Sequence, residues 1–569
     1  MGSTAISDDD YVLQPSSEAA ISRANTLFPH LLEQEAREDP GRIVAMLAKS
    51  ADITQGFQTI TADEFLRAVD FTAHWLDSEL HGFAPDETIS FVGIQDFRYV
   101  ILEVAAMKTK HPLLLPSPRN AVVNTVSLIR ATNCSKLLYT PELTHHVSSL
   151  VEAVGSLSTC GIPTLEEMLE GPHQPYKYNA TWENNKNDVA LIIHTSGSTG
   201  APKARICTHA FLGAFICLSM LTPEVPGREK SDLSRVKKGE LLCTGSSFFH
   251  MSGIVLGFIT LTQSITVVYG PPHQPSDGKI MHDILKSLPI AGSINAPSVT
   301  ESMFLEHGAD LQSEMSRLKH ICWVGGPLSP RLGEYLIKNT NAVIWQLFGS
   351  TEVGPIPLLV PPPEYWQYFE FHPKLTPILV ETELGSKLYE IVYRKHLNPV
   401  LSWSQPIFHL MPELNEWRTR DLVRRYDGPL PEGVGPLYMF ERRLDDQIIL
   451  SNAHKVNPVH MELQLQSHAL LSGCLVFGEG RTRCGILLEG KSGLEMSDEE
   501  LLERIWEDVE NANATVPEHA RVPRDLALVV SGERRLVRAA KGTVVRSLSI
   551  KAYQREINDA YERSLNSRF

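Results

Sequence analysis

A loop rich in glycine and hydroxyl side chains follows an apolar run early in the chain. The apolar run covers 189–193 and predicts a buried strand, and residues 194–203 then read HTSGSTGAPK. Glycines let the backbone approach a phosphate closely, and successive N–H groups can form an anion-binding nest. The hydroxyls add donors, and Lys203 adds a positive charge. The sequence therefore predicts a strand that leads into a phosphate-binding loop.

The alternative interpretation of this loop is a flexible Ser/Gly linker. Linkers rarely leave a buried strand and end in Ala-Pro-Lys, so we favour the phosphate loop. It is not a Walker loop, because the Gly-Lys-Ser/Thr of that motif is absent from 194–203.

Strand-like and helix-like segments alternate around this loop. Residues 91–94 and 113–115 predict strands, and 100–107 predicts a helix between them. Such alternation predicts an α/β fold with largely parallel sheets. The polar, charged segment 223–240 predicts a surface insertion, and 498–511 predicts a helix.

The length of 569 residues is too great for one hydrophobic core, so we expect two or more domains. Residues 1–30 predict a weakly ordered leader, 31–444 a large N-terminal domain and 445–569 a small C-terminal domain.

The net charge of the chain and its cysteines indicate which partners it can bind and in which compartment it works. The net charge of −15 argues against nonspecific binding to nucleic acid or to an anionic membrane. No apolar run approaches the roughly 20 residues of a membrane span. Because Asp8, Asp9 and Asp10 are acidic and a basic n-region is lacking, we expect no secretory signal here. Eight scattered cysteines without a Cys-x-x-Cys pair favour reduced thiols, so we expect a cytoplasmic protein.

Further motifs follow the loop in a fixed order. They read FFHMSG at 248–253, WVGGPLS at 323–329, QLFGSTE at 346–352, WRTRD at 417–421, RLDDQ at 443–447 and KGTVVR at 541–546. With the loop at 194–203, this ordered set resembles the acyl-adenylate-forming superfamily of acyl-CoA synthetases, luciferases and peptide-synthetase adenylation domains. The resemblance implies a large N-terminal domain, with two α/β subdomains and a small distorted β-barrel, and a small mobile C-terminal α+β domain. Asp445 matches the hinge between them.

The resemblance implies ATP and Mg²⁺ as cofactors. Gly325 and Gly326 would let adenine lie against the backbone, Thr351 would bond the α-phosphate, and Glu352 would hold Mg²⁺. Asp421 would accept bonds from the ribose hydroxyls. Each of these groups also has a purely structural interpretation. Gly325 and Gly326 could form an ordinary tight turn, Glu352 could be a solvated carboxylate, and Asp421 could belong to a surface ion pair. The full set of nucleotide-binding residues implied is Thr195, Ser196, Gly197, Ser198, Thr199, Gly200, Lys203, Gly325, Gly326, Pro327, Gln346, Leu347, Gly349, Ser350, Thr351, Glu352, Asp421 and Arg443.

His250 bears on the substrate. Adenylation domains for amino acids carry an aspartate at this point, which pairs with the α-ammonium. With His250 there, a buried amine would lack its counter-charge, so we expect a carboxylic acid without an α-amino group. His250 would line the carboxylate and gate the pocket; a packed histidine is the alternative. The expected pocket is apolar or small and suits an aryl or other apolar acid: His250, Met251, Ile254, Pro297, Ser298, Gly326, Leu347, Pro355 and Ile356.

Lys541 is the candidate catalytic lysine. A carboxylate and ATP are both anionic, so a bridging cation stabilises the transition state more than the ground state. In most relatives the lysine directly follows the glycine of the motif, whereas here Thr543 follows Gly542 and Lys541 precedes it. A solvated lysine is the alternative.

Shorter strings narrow the resemblance to fungal NRPS-like enzymes with an adenylation, carrier and reductase layout. They are LPSPRN at 115–120, WQYFEF at 366–371 and KVNP at 455–458. The chain departs from that family where Arg420, Arg442 and Ala453 replace glycine and His454 replaces glutamate. No phosphopantetheine carrier motif, thioesterase or reductase follows Lys541, so we expect an adenylation domain cut from a longer synthetase or a ligase that acts in trans.

The expected reaction joins a carboxylic acid with ATP to give acyl-AMP and pyrophosphate. The acyl group would then pass to the phosphopantetheine thiol of a carrier domain in secondary metabolism. An acyl-CoA ligase that uses free CoA is the first alternative. A degenerate, non-catalytic nucleotide-binding or scaffold protein is the second.

Overall fold

The fold was examined in a computed structural model that describes residues 15–84, 86–196, 202–272, 274, 276–383, 385–398, 405–451, 454–530, 534–539 and 542–566. The side chains of 15–17, 196, 445, 455 and 565–566 are outside this description. Several predicted site residues fall outside the described residues: Gly197, Ser198, Thr199, Gly200, Ala453 and Lys541.

The strands are numbered in chain order. They are β1 (Ile43–Ala48), β2 (Phe57–Thr61), β3 (Ile89–Val92), β4 (Leu113–Leu114), β5 (Lys136–Tyr139), β6 (Ser158–Gly161), β7 (Val189–Ser196), β8 (Pro202–Thr208), β9 (Leu241–Thr244), β10 (Thr266–Tyr269), β11 (Ile290–Asn295), β12 (His320–Val324), β13 (Val343–Leu347), β14 (Gly349–Ser350), β15 (Gly354–Pro355), β16 (Leu358–Leu359), β17 (Phe369–Phe371), β18 (Ile378–Glu381), β19 (Leu388–Arg394), β20 (Glu416–Arg425), β21 (Leu437–Arg443), β22 (Ile448–Ile449), β23 (Lys455–Val456), β24 (Leu471–Phe477), β25 (Gly485–Gly490) and β26 (Ala527–Val530).

The α-helices alternate with these strands. They are Pro15–Ala24, Phe28–Glu38, Ala62–Glu79, Arg98–Thr109, Val122–Ala131, Thr144–Val154, Leu165–Glu170, Trp182–Asn185, His209–Ile216, Leu218–Leu221, Met251–Thr262, Gly278–Ser287, Pro297–Glu301, Gln312–Arg317, Pro330–Asn339, Ile407–Leu410, Val459–Gln466, Asp498–Ala514, Arg546–Ala552 and Gln554–Asn566.

Two largely parallel sheets form the body of the large domain. One has the order β13-β12-β11-β9-β10-β1-β2 and the other β6-β5-β3-β4-β7-β8. In each, one edge strand is antiparallel, β2 in the first sheet and β8 in the second. The predicted α/β class is thereby confirmed, and the strands and helix predicted near 91–115 are present as β3, Arg98–Thr109 and β4.

A single hydrophobic core joins both sheets. It includes residues of β1 and β10 from one sheet, of β3 and β7 from the other, and of the helices Ala62–Glu79, Arg98–Thr109 and Met251–Thr262. Every residue of Arg98–Thr109 is buried, because this helix is covered on all sides. A helix without a polar face belongs in such an interior position.

The remaining sheets are antiparallel or mixed. The order β16-β17-β21-β20-β19-β18 is antiparallel throughout and forms a half-barrel with its own apolar cluster. The small domain contains β24-β25-β26, in which β24 is antiparallel to β25 and β26 is parallel to it. Its helix Asp498–Ala514 starts at a capping box of Ser497 and Glu500 and buries Leu501, Ile505, Val509 and Ala512 on one face.

Residues 15–30, predicted as part of a leader, are helical and packed. Ala20 and Ala24 join a small cluster with Cys217 and Leu221. Arg23 donates from Nη1 to the carbonyl of Leu261 at 2.9 Å. This segment therefore contacts the large domain rather than extending from it.

The segment 223–240, predicted as a surface insertion, is partly interior. Lys230 is buried and donates from Nζ to the carbonyls of Ser219 and Thr222, each at 3.1 Å. Leu233 and Val236 belong to the core that joins the two sheets. The prediction was wrong because the aliphatic stem of a lysine can be buried when its ammonium group finds carbonyl acceptors.

Candidate functional site

The phosphate-loop strand β7 pairs with β8 as an antiparallel ribbon. Thr195 lies opposite Lys203, and Ile193 lies opposite Arg205. Side chains two residues apart on a strand share a face, so Lys203 and Arg205 project from the same side of β8. The exposed Lys203 stands beside the predicted loop.

Arg205 forms an ion pair with Glu352, the predicted metal ligand. Its Nη2 lies 2.8 Å from Glu352 Oε1, and the two side chains are 19% and 13% exposed. The Nε of Arg205 is buried and has no hydrogen-bond partner among the described residues. Sequence reasoning missed Arg205; the signal available was a second cation two residues after Lys203, on the same face of a predicted strand.

A tight hairpin presents Thr351 and Glu352. β14 and β15 pair with Gly349 opposite Pro355 and Ser350 opposite Gly354. The hydroxyl of Ser350 accepts the backbone N–H groups of Glu352 at 3.3 Å and Val353 at 3.4 Å. The turn thereby fixes the backbone from which the Glu352 carboxylate projects.

Asp421 and Arg443 are cross-strand partners on β20 and β21. Arg443 Nη1 lies 3.6 Å from Asp421 Oδ1, and Asp421 is buried. Burial raises the pKa of Asp421 to about 6; Arg443 opposes this rise, whereas the charges of Glu352 and Asp446 add to it. The charge of Glu352 therefore acts on Asp421.

The glycine turn after β12 leaves open space. Gly325 has φ of +94°, and a Cβ built on it meets no atom within 4 Å. A Cβ on Gly326 meets only Pro297, at 3.8 Å. A flat group can therefore approach the exposed backbone here. Gln346 and Leu347 close the neighbouring strand β13, parallel to β12, and the hydroxyl of Ser231 donates to the Gln346 carbonyl at 3.0 Å.

His250 precedes the helix Met251–Thr262 as its N-cap. Its N–H donates to the Ser247 carbonyl at 3.0 Å, and its ring centroid lies 4.8 Å from Phe249 and 6.2 Å from His194. A Cβ on Gly253 would lie 2.1 Å from the Ser247 oxygen, so the turn that carries His250 requires glycine at this position.

The predicted acyl-pocket residues come from separate elements, and the structure shows contacts of several of them. Met251, Ile254 and Leu347 pack in the same core cluster, and Pro297 lies against Gly326. Pro355 pairs with Gly349, and the N–H of Ile356 donates to the Phe348 carbonyl at 2.7 Å. Ser298 is exposed on the helix that starts at Pro297.

His194, on β7, contacts the segment 115–120. Its Nε2 accepts the backbone N–H of Ser117 at 3.1 Å and lies 3.5 Å from the Asn120 amide nitrogen. Burial lowers the pKa of His194 to about 4, so the ring is neutral at physiological pH and keeps its acceptor nitrogen. The sequence motif included His194 but assigned it no role.

The residues at which the chain departs from the family pattern have distinct surroundings. Arg420 has φ of +65° and lies where the register between β19 and β20 shifts, in a β-bulge. Arg442 is buried, its Nη1 has no hydrogen-bond partner among the described residues, and burial lowers its pKa. The ring of His454 lies 4.4 Å from that of His519. The carbonyl of Thr543 accepts the Ala539 N–H at 2.7 Å in a turn where Gly542 has φ of +87°.

Glu441 connects the half-barrel to the start of the small domain. Its carboxylate accepts two bonds from Arg424 at 3.0 Å each and one each from Asn457 and His460 at 3.2 Å. Asp445, the predicted hinge, follows Glu441 in the short 3₁₀ helix Leu444–Asp446. The Glu441 contacts therefore bracket the predicted hinge.

The sequence matches two family profiles. The profile described as "AMP-binding enzyme" covers residues 32–372, and the one described as "AMP-binding enzyme C-terminal domain" covers 445–565. The chain therefore belongs to the AMP-binding enzyme family, and it is an adenylate-forming enzyme of that family.

Curated relatives include fungal multidomain enzymes. The chain is 26% identical to a carboxylic acid reductase of Neurospora crassa over 94% of its own length and 50% of that protein. It is 28% identical to the isocyanide synthase-NRPS hybrid crmA of Aspergillus fumigatus, over 96% of its own length and 34% of that protein. The chain thus spans half or less of the length of these relatives.

Solved structures share the fold. The O-succinylbenzoate coenzyme A synthetase of Bacillus subtilis, in complex with AMP, superposes with a TM-score of 0.66 at 17% identity and covers 91% of this chain and 97% of its own. A benzoate CoA ligase of Burkholderia xenovorans gives a TM-score of 0.67 at 16% identity and covers 91% of this chain and 98% of its own. The large domain, half-barrel and small C-terminal domain predicted from the sequence are present.

The described residues fit a magnesium-bound nucleotide. Open space beside Gly325 and Gly326 suits a flat base, and the Asp421 carboxylate is an acceptor for ribose hydroxyls. Glu352 offers the hard oxygen ligand that Mg²⁺ prefers. Lys203 and Arg205 add positive charge on the strand that follows the predicted phosphate loop.

The described residues form no membrane-crossing helix: none of their helices combines sufficient length with sufficient apolar character.

Proposed function

We propose that this protein activates a carboxylic acid without an α-amino group, aryl or otherwise apolar, by forming its acyl-adenylate from ATP. The observation that carries this proposal is the pairing of Glu352 with Arg205 and of Asp421 with Arg443, with Glu352 close enough to Asp421 to raise its pKa. Such a group offers acceptors for a ribose, a carboxylate for a metal and cations for phosphates. Family membership supports the same reaction class.

In the first half-reaction a substrate carboxylate oxygen attacks the α-phosphorus, and the bond from that phosphorus to the bridging oxygen breaks to release pyrophosphate. Lys541 is proposed to bridge the two anionic reactants, and Thr351 to donate to an α-phosphate oxygen. Mg²⁺ held by Glu352 would offset charge on the phosphate oxygens. Asp421 would fix the ribose and so orient the α-phosphorus toward the acid.

His250 and the residues around it are proposed to receive the acid. The half-buried ring of His250 lies between Phe249 and His194 and offers no negative charge to an α-ammonium group. Met251, Ile254 and Leu347 add an apolar wall. This combination favours an acid whose body is apolar.

In the second half-reaction the thiol sulfur of a phosphopantetheine group attacks the acyl carbon and AMP leaves. A carrier domain is the proposed thiol donor, because the relatives that align over most of this chain include an NRPS hybrid and adenylate-forming reductases. Turning of the small domain about Asp445 would exchange the residues of the two half-reactions. All eight cysteines are free, which supports a cytoplasmic setting, and we propose a role in secondary metabolism.

The test is hydroxylamine trapping of the acyl-adenylate, with pyrophosphate release, across aryl, fatty, α-keto and amino acids. A signal for one class of non-amino acid, lost in Lys541→Ala, would support the proposal. Preference for an amino acid would contradict the role given to His250. ATP binding without pyrophosphate release for any acid would favour a non-catalytic nucleotide-binding protein.

The identity of the thiol needs a separate experiment. The acyl-adenylate is formed with the best acid, and a phosphopantetheinylated carrier domain or free CoA is then added. Acylation of the carrier alone supports the proposal, whereas thioester formation with CoA alone identifies an acyl-CoA ligase.

A further inference from the structure

Arg205 is placed where it can reach both the metal ligand and the phosphates. It lies on the same face of β8 as Lys203, two residues from it, and its guanidinium pairs with Glu352 at 2.8 Å. The predicted loop separates Lys203 from Thr195, which is opposite it in the ribbon. Under the proposed function, a guanidinium at this point lies on the side of the site where the phosphates bind.

Arg205 has fewer hydrogen-bond partners than the arginine of a comparable ion pair elsewhere in the chain. Arg228 and Glu370 form a pair of similar burial, 18% and 10% exposed, at 2.6 Å. Arg228 also donates to the carbonyls of Gly433 and Val360, so its guanidinium is tied to the backbone on two further sides. Arg205, by contrast, keeps a buried Nε without a hydrogen-bond partner among the described residues. A buried donor without a partner is costly unless something else uses it.

We propose that Arg205 holds Glu352 while the nucleotide site is empty and turns its guanidinium to the polyphosphate when ATP binds, which frees Glu352 for the metal. This inference rests on the proposed function, because it takes ATP as the nucleotide and Glu352 as the metal ligand. Arg205 then acts as a positioning residue that couples metal binding to nucleotide binding.

The coupling follows from charge. A guanidinium and a divalent cation compete for one carboxylate, so metal affinity at Glu352 is low while Arg205 occupies it. A polyphosphate attracts the guanidinium strongly, since bidentate arginine–phosphate bonds are charge-assisted. Binding of the nucleotide releases Glu352 and so raises the affinity of the site for the metal. By thermodynamic linkage, bound metal raises the affinity for the nucleotide by the same factor. The site therefore discriminates against free Mg²⁺ in favour of Mg²⁺ with nucleotide.

Two binding measurements on the full chain test this inference without turnover. Isothermal titration with ATP in EDTA reports the contribution of Arg205 to phosphate binding. Titration with Mn²⁺ in the absence of nucleotide, followed by electron paramagnetic resonance, reports whether Glu352 is available. Arg205→Met should weaken ATP binding in EDTA about tenfold and strengthen nucleotide-free Mn²⁺ binding about tenfold.

Controls separate the inference from a loss of structure. Arg205→Lys keeps a cation but loses the two-pronged guanidinium, so its affinity for ATP in EDTA should lie between those of wild type and Arg205→Met. Arg228→Met removes the matched pair and should change neither titration. Arg205→Met combined with Glu352→Gln should lose the gained Mn²⁺ affinity.

Each contrary result has a distinct meaning. The inference is wrong if wild-type protein binds ATP with Mg²⁺ but Arg205→Met has the wild-type affinity in either titration. In that case the proposed function still stands. Opposite shifts of ATP and Mn²⁺ affinity in Arg205→Met support it. Wild-type protein that binds no ATP even with Mg²⁺ overturns the proposed function and the inference together.

Discussion

Asp421 and Arg443 face each other across β20 and β21 with 3.6 Å between carboxylate and guanidinium, yet the pKa of Asp421 is raised to about 6. An opposite charge alone would lower this pKa. Burial outweighs the arginine, and the nearby carboxylate of Glu352 adds to the rise. The ionised form of Asp421 is therefore held at a cost in the empty protein.

The ribose-binding role of Asp421 predicts a pH dependence of nucleoside affinity. An ionised carboxylate accepts from both ribose hydroxyls, so affinity should fall as pH drops through 6. Between pH 7.5 and 5.5 the dissociation constant should rise roughly fourfold. Adenosine is the suitable ligand, since it carries no phosphate that titrates in this range. Asp421→Asn should bind weakly and without this dependence; an unchanged slope would assign the effect to another group.

The same carboxyl group predicts a pH-dependent stability. The pKa of Asp421 is higher in the folded protein than in the unfolded chain. Its contribution to the free energy of unfolding is therefore full below about pH 4 and is lost as pH rises through 6. Asp421→Asn should therefore stabilise the nucleotide-free protein relative to wild type by roughly 1 kcal/mol more at pH 8 than at pH 5. Thermal unfolding of both proteins at the two pH values measures this difference. Equal differences at both pH values would contradict the raised pKa.

Local patterns predicted the parts of this fold that depend on neighbouring residues. The apolar run before HTSGSTGAPK is β7, and the helix predicted over 498–511 is present as Asp498–Ala514. The order of motifs also led to the assignment of Gly325 and Asp421 to one nucleotide site, which stays a prediction. The two confirmed elements share a cause, because each signal is contained in a few consecutive residues.

What the sequence did not reveal depends on contacts between distant segments. The partner of Glu352 is Arg205, and no spacing rule connects two residues so far apart in the chain. Lys230 looked like a surface residue until the carbonyls of Ser219 and Thr222 were seen to receive its ammonium group. Arg23 was assigned to a leader, although it donates to Leu261 far along the chain. Tertiary partners of this kind override the local preference of a charged residue for solvent.

Arg420 predicts a stabilising substitution. Its φ of +65° is in the left-handed region, which costs a residue with a Cβ about 1 kcal/mol or more. Arg420→Gly should therefore raise the free energy of unfolding by about 1 kcal/mol, less the entropy that glycine loses on folding. Arg420→Ala keeps the strained backbone and should give no gain. Urea unfolding of the three proteins measures the effect, and equal gains in both variants would point to the arginine side chain instead.

Glu441 predicts a pH-dependent junction between the half-barrel and the small domain. Bonds from His460 and Arg424 overcome burial and lower the pKa of Glu441 to about 2. The contribution of Glu441 to the free energy of unfolding is therefore present above about pH 4.3 and is lost as pH falls toward 2. Glu441→Gln should lower the free energy of unfolding by about 1–2 kcal/mol at pH 7. This value is modest because the side chains of both partners, Arg424 and His460, are half exposed to solvent.

The matched control for Glu441 is Glu416, which pairs with Arg394 at 3.0 Å on the surface. Glu416→Gln should change stability by no more than about 0.5 kcal/mol. Thermal unfolding at pH 7 compares the two variants with wild type. Equal small effects would mean that the Glu441 contacts do not hold the junction together.

Gly349 predicts a severe effect of a single methyl group on metal-dependent nucleotide binding. A Cβ at this position would lie 2.0 Å from the carbonyl oxygen of Gly354, which belongs to the backbone of the facing strand and cannot move aside alone. Gly349→Ala should therefore open the hairpin that carries Glu352, destabilise the protein by about 2 kcal/mol or more, and weaken binding of ATP in Mg²⁺. Gly41→Ala is the matched control, because a Cβ there meets no atom within 4 Å. Thermal unfolding and ATP titration are made on both variants. If Gly349→Ala unfolds and binds as wild type does, the hairpin tolerates the methyl group and does not fix the position of Glu352.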